Sequence, residues 1–187
     1  MEPNKKFDIK KFLYTVICGL IFSIIIGIIF FQTHVFNHHS PSFAFVTFGL
    51  VGAVVFAALS FRNIKDSILF TIMLLIINFT IYSGHSFKFA LRDILSFAAI
   101  WLSMYLYDIW FIPKVQNMRY IRALGLGVIF ATCNVVAGII LILIFIIIYD
   151  MRTQLIPILF SYLQTGMLVG LGLGIGFDLA ETIARKM

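Results

Sequence analysis

The chain has 187 residues and a net charge of +6, and 61% of its residues are hydrophobic whereas only 12% are charged. Because soluble globular domains carry about 25% charged residues, this composition excludes an ordinary soluble domain and predicts an integral membrane protein. The two cysteines, Cys18 and Cys133, both lie in apolar stretches, which excludes a disulfide framework or a zinc knuckle.

The apolar residues fall into six blocks, each close to the ~20 residues that cross a ~30 Å hydrocarbon core. We therefore predict an all-α fold, with residues 1–187 forming a single transmembrane domain. It would be a polytopic integral membrane bundle of six transmembrane helices. The predicted spans are 12–31, 43–61, 67–82, 93–112, 123–149 and 155–177.

The basic residues predict the orientation of these spans. If the N-terminus is cytoplasmic, eleven lysines and arginines lie inside, and only Lys88, Arg92 and Arg152 lie outside. This bias is the one that the positive-inside rule describes. It predicts an N-in/C-in protein of the cell membrane with cytoplasmic termini. Because the charges flank the spans, we expect the partner of this basic surface to be anionic lipid and not nucleic acid.

Span 1 carries small residues at a spacing of four, namely Gly19, Ser23 and Gly27. Such a stripe leaves one helix face smooth, and small residues let helix backbones approach closely in lipid. We predict that the stripe is a helix-packing surface.

All four histidines fall on the predicted outer side. His34 and His38 are four residues apart, so a helical turn would place both on one face, and His39 and His85 could complete a site there. Imidazole nitrogen is a good ligand for zinc and related divalent metals, so these residues form a candidate metal site. The alternative is ordinary interfacial histidine, since no cysteine or carboxylate lies close in sequence. Apart from this possible divalent metal, we predict no cofactor.

His85, Lys88 and Arg92 stand at positions i, i+3 and i+7 before span 4. They share one face of a helix, and this basic rim is a candidate site for an anionic ligand. The alternative is that Lys88 and Arg92 extend to the interface and that Asp93 pairs with them.

Polar residues within the spans are further candidates for ligand binding. Asn78, Asn134 and Gln164 lie in spans 3, 5 and 6, and Asp108 lies about one turn from the cytoplasmic end of span 4. Ionisable residues within a membrane are functional candidates by default, so Asp108 is predicted near a cytoplasmic gate. The alternative is a structural charge: Arg119 or Arg122 could neutralise Asp108, and also Asp178, which lies two residues beyond the last glycine of span 6.

Span 6 contains Gly166, Gly170 and Gly174 at a spacing of four, whereas Gly172 and Gly176 notch a second side. We predict a central helix that neighbours contact on both sides. The alternative is an unwound turn with carbonyls exposed to a cavity, because each glycine lowers helix propensity by about 1 kcal/mol relative to alanine.

In size, span number and predicted termini, the chain resembles the substrate-binding S components of energy-coupling-factor transporters. The resemblance implies a small transport protein whose first-helix stripe, here Gly19, Ser23 and Gly27, docks on a coupling subunit. Our leading hypothesis is therefore a transport-type membrane protein that binds a small solute or ion between its helices. The alternatives are a structural or assembly subunit that uses glycine-striped helices for contact with another membrane protein or a second copy, and an outer-face metal-binding protein. Enzyme motifs are nearly absent, which leans against an enzyme. An intramembrane enzyme is a weaker alternative that would need a polar cluster at depth, and the residues do not indicate one.

Overall fold

The computed structural model of the protein describes residues 8–32, 41–61, 63–81, 87–115, 118–149 and 155–185. Over these ranges the regular structure is helical and contains no strand, so the predicted all-α class is confirmed. A π-helix (Tyr107–Phe111) and a 3-10 helix (Ile112–Lys114) follow directly on α4. The α-helices are α1 (Ile9–Gln32), α2 (Pro41–Phe61), α3 (Ile64–Ile81), α4 (Phe87–Leu106), α5 (Arg119–Tyr149) and α6 (Leu155–Ala184).

Four helical segments among the described residues are long and apolar enough to cross a membrane. A fifth, Phe45–Phe61, is apolar but shorter. These helices indicate a membrane protein, whereas the six-span count and the orientation of the termini stay predictions. The four segments are Ile9–Phe30, Ala90–Lys114, Tyr120–Ile147 and Ile158–Ala184.

The outer surface of the bundle is apolar. On α1, for example, Leu13, Ile17, Ile21 and Ile25 recur at every fourth position and are all exposed. Soluble monomers rarely expose contiguous apolar patches of more than a few hundred Å². A surface of this kind fits the hydrocarbon of a bilayer, while serines, an asparagine and an arginine are buried inside.

Helix α6 lies between α1 and α5 and contacts both through its glycines. A Cβ atom added at Gly166, Gly170 or Gly174 would lie 2.6–2.8 Å from the nearest backbone atom of α5. One added at Gly172 or Gly176 would lie 2.5–2.6 Å from the backbone of α1. The helix is continuous through this run, and its glycines allow two backbones to approach it.

The helices alternate in direction, as a chain that threads a bilayer repeatedly requires. The contacts between α1 and α2 show that these two helices are antiparallel. Gly27, late in α1, faces the Phe45 ring early in α2, and Ser23, earlier in α1, faces Gly49, later in α2. The Ser23 hydroxyl also donates to the Phe45 carbonyl at 3.2 Å. Helix α2 runs parallel to α6, and the Phe56 ring stacks on Phe177 with centroids 4.1 Å apart. The core therefore lies among α2, α4, α5 and α6.

Candidate functional site

Arg122 is the centre of a charged cluster at one end of the bundle, which we define as Arg122, Asp178 and Glu181. Arg122 is only 8% exposed. Its Nη1 lies 2.8 Å from Glu181 Oε2 and 3.7 Å from Asp178 Oδ1, and its Nε donates to the Val115 carbonyl at 3.2 Å. Glu181 also pairs with Arg185. One guanidinium thus connects the start of α5 to the end of α6.

Helix packing brings these charged side chains together. Arg122 lies in the first turn of α5, and the two acids lie three residues apart near the end of α6. Since α5 and α6 are antiparallel and touch at Ala123 and Gly174, their opposite termini meet at the same level. The close contact at Gly174 therefore determines the distance between Arg122 and its partners Asp178 and Glu181.

The π-helix borders the charged cluster. Tyr107 is 1% exposed and interacts electrostatically with Asp178, Arg122, Glu181 and Asp108. Asp108 is directed towards α2, where its Oδ1 accepts a hydrogen bond of 3.0 Å from the Ser60 hydroxyl. Phe111 packs so closely on Gly125 that a Cβ at position 125 would overlap its ring. A π-helical turn adds a residue to the helix, and such turns are frequent at functional sites.

A second group of polar residues, which we call the α3–α4 polar cluster, consists of Asn78, Arg92 and Asp93. Asp93 is 9% exposed. Its Oδ2 accepts from Asn78 Nδ2 at 2.9 Å, and its Oδ1 accepts from Arg92 Nε at 3.0 Å and Nη2 at 2.9 Å. Tyr162 of α6 interacts electrostatically with Arg92 and Asp93. This cluster occupies the end of α3 and the start of α4, opposite to the charged cluster.

The predicted ligand residues are therefore distributed along the bundle and do not meet at one point. Asn78 and Arg92 lie in the α3–α4 polar cluster, and Asp108 lies beside the charged cluster. Asn134 is buried on α5 and donates to its own helix, at the Phe130 carbonyl, at 2.8 Å. Gln164 is half-buried on α6. Both Asn134 and Gln164 fall between the two clusters.

Five predicted residues lie wholly or partly outside the described part of the chain. Lys88 belongs to α4, but its side chain lies outside the described residues, as do His34, His38, His39 and His85. Within the described ranges, no three histidine, cysteine or carboxylate side chains group as a metal site. The predicted histidine site thus stays a prediction.

Sequence reasoning did not identify Arg122 as the centre of a site and treated it only as a residue that could neutralise Asp108 or Asp178. Arg122 pairs with Asp178, one of these two acids, and with Glu181, whereas Asp108 bonds to Ser60. A signal for the charged cluster was present in the sequence. Two acids spaced i, i+3 at the end of one helix, with an arginine at the start of its antiparallel neighbour, indicate an interhelical ion pair.

No protein-family model matches the chain, and comparisons with curated proteins and with solved structures find no similar protein. The resemblance to S components therefore rests on size and helix number alone. The first-helix stripe, which would dock on a coupling subunit, instead packs inside this chain: Gly19 against α2 and α6, and Gly27 against α2. An assembly subunit should carry its glycine stripes on the outside of the bundle. The stripes of α1 and α6 are occupied by helices of the same chain, so they do not support that alternative.

Proposed function

We propose that the protein is a six-span integral membrane protein of transport type, which moves a small solute or ion between its helices. The charged cluster, with Asp108 beside it, is its cytoplasmic gate. The α3–α4 polar cluster, near Lys88, is the outer boundary of the path. Asn134 and Gln164 are polar contacts between the two.

The observation that carries this proposal is the burial of Arg122 among two carboxylates in a bundle with an apolar exterior. Arg122 and both acids fall within candidate membrane spans, close to the ends of those spans. Ionisable residues within membrane spans are rare and usually mark ion or substrate paths or proton relays. Packing alone does not require such a group, because apolar residues of similar volume often replace a buried ion pair with no loss of stability.

The π-helix supports assigning the gate to this end. A gate must have an open and a closed arrangement. A π-helical turn interrupts the regular hydrogen bonding of an α-helix, and such turns are frequent at functional sites. Here the π-helix contacts α2 and α5 and borders the Arg122 guanidinium, which binds α6. Opening would separate the ends of α5 and α6 by exchanging the contacts of Arg122.

Cysteine accessibility tests this proposal without knowledge of the substrate. The background protein has Cys18→Ala and Cys133→Ala, and Gln164→Cys is the reporter between the clusters. In inside-out vesicles, a membrane-impermeant cationic thiol reagent should label the reporter slowly, because thiolates form and react only where water reaches them. Arg122→Gln should raise that rate about tenfold or more, since loss of one partner of a buried pair weakens closure by several kcal/mol.

Leu163→Cys is the matched control. Leu163 precedes Gln164 on the same helix but is 44% exposed on the apolar exterior, where lipid should exclude the reagent. Labelling of both reporters after Arg122→Gln would report unfolding. If Gln164→Cys reacts as slowly as Leu163→Cys in both backgrounds, no water path reaches Gln164, and the transport function is wrong.

A further inference from the structure

An exposed aromatic and basic surface lies where the π-helix and the 3-10 helix follow α4. Trp110 is 56% exposed, and Lys114 Nζ lies 3.9 Å from the centroid of its ring. We call this pair the Trp110 surface. Nearby along the chain, at the start of α5, Tyr120 is 93% exposed. The packing of Phe111 on Gly125 holds the π-helix beside the first turns of α5.

The Trp110 surface lies at the ends of two candidate spans. One span runs Ala90–Lys114 and ends at this surface, and the next runs Tyr120–Ile147 and begins beside it. Tryptophan and tyrosine are enriched at the level of lipid headgroups, where an amphipathic ring has both apolar and polar neighbours. The surface is therefore at headgroup depth if these segments cross a bilayer.

All the charged residues of this part of the sequence are basic. No Asp or Glu occurs from residue 109 to residue 149, whereas Lys114, Arg119 and Arg122 lie there. The nearest preceding acid, Asp108, accepts a hydrogen bond from Ser60 on α2, and the guanidinium of Arg122 is directed to the acids of α6. Lys114 is thus a cation on an exposed segment that contains no acid of its own.

We propose that the Trp110 surface binds the phosphate-bearing headgroup of an anionic phospholipid. The Lys114 ammonium pairs with the phosphate, and the Trp110 ring positions it through a cation–π contact while its apolar edge lies against the acyl chains. The proposal requires that the chain be embedded in a membrane, but it does not depend on transport.

Quenching of Trp110 fluorescence by brominated lipid tests the proposal. Trp101→Phe leaves Trp110 as the one tryptophan of the 187-residue chain. In nanodiscs that contain increasing fractions of brominated phosphatidylglycerol or brominated phosphatidylcholine, phosphatidylglycerol should quench at the lower mole fraction. Lys114→Gln should weaken this preference roughly fivefold, the effect of one lysine near an anionic surface. Raising the salt concentration should reduce the preference in the same direction.

Lys65→Gln is the matched control, because Lys65 is also exposed and lies at the predicted cytoplasmic side but is not next to a tryptophan in sequence. It should leave the quenching unchanged. Trp101→Phe removes the 3.0 Å hydrogen bond to Ser67 and with it some folding stability. Thermal stabilisation by phosphatidylglycerol in detergent is therefore measured in parallel on the unmodified protein and on Lys114→Gln. Equal quenching by the two brominated lipids would overturn the proposal and favour a protein partner instead. So would a preference for phosphatidylglycerol that Lys114→Gln leaves intact.

Discussion

Replacing Gly174 by alanine tests whether the backbone contact between α5 and α6 holds the bundle together. A Cβ at this position would lie 2.6 Å from Ala123 Cα and 3.1 Å from Ala123 Cβ. The first of these atoms is backbone and cannot rotate away. The two helices must therefore separate by several tenths of an ångström near the charged cluster.

Two opposing effects determine how much Gly174→Ala changes the free energy of unfolding. Alanine favours the helix over glycine by about 1 kcal/mol. Overpacking a filled interior costs about 1–3 kcal/mol, and contact with a rigid backbone atom places this site at or above the upper end of that range. We expect a net loss of about 2 kcal/mol, which corresponds to a fall of about 4–8 °C in the apparent Tm for a chain of this size.

The assay is thermal unfolding of the purified protein in detergent, followed by size-exclusion fluorescence. Gly138→Ala is the control at the same α5–α6 interface, because its Cβ would meet the Tyr162 ring at 3.1 Å and a ring can move. We expect Gly138→Ala to shift the Tm by about 2 °C or less. If Gly174→Ala melts at or above the temperature of the unmodified protein, or if both variants fall equally, then backbone contact does not limit this interface.

Three further predictions address the charges and the topology. Arg122→Gln should destabilise the protein by about 3 kcal/mol because it leaves two acids without their shared cation. Arg185→Gln, at a side chain that is 66% exposed, should cost less than about 1 kcal/mol. Equal losses of stability in chemical denaturation would contradict a stabilising role of Arg122 in the charged cluster. Asp93→Asn should lower the apparent Tm by several degrees, since it removes the negative charge that pairs with Arg92 and replaces one of two accepting oxygens with an NH2 group, which cannot accept; an unchanged Tm would mean that the α3–α4 polar cluster adds no stability. In intact cells, an impermeant thiol reagent should label His38→Cys and should label Gln116→Cys only after permeabilisation; labelling of both from one side is incompatible with six alternating spans.

Local sequence patterns predicted the helical class and the surfaces of α6, because glycine spacing of four is a property of a single helix. For Arg122 the sequence offered both Asp108 and Asp178 as partners, and it could not choose between them or add Glu181, since the pairing depends on the register of α5 against α6. The bond between Asn78 and Asp93 likewise depends on how α3 and α4 are aligned. The π-helix has no comparable sequence signal, because the residues of Tyr107–Phe111 would be equally compatible with an α-helix.

Because α6 is wedged between α1 and α5, the order of synthesis matters for assembly. Domains and helices emerge from the ribosome N-terminal first, so α1 and α5 are inserted before the helix that fills the space between them exists. Until α6 arrives, the backbone surfaces at Cys18, Gly19 and Ser23 on α1 have no glycine face to meet. A nascent chain halted before α6 should therefore be recognised as incomplete by membrane quality control, and α6 supplied as a separate peptide should rescue it.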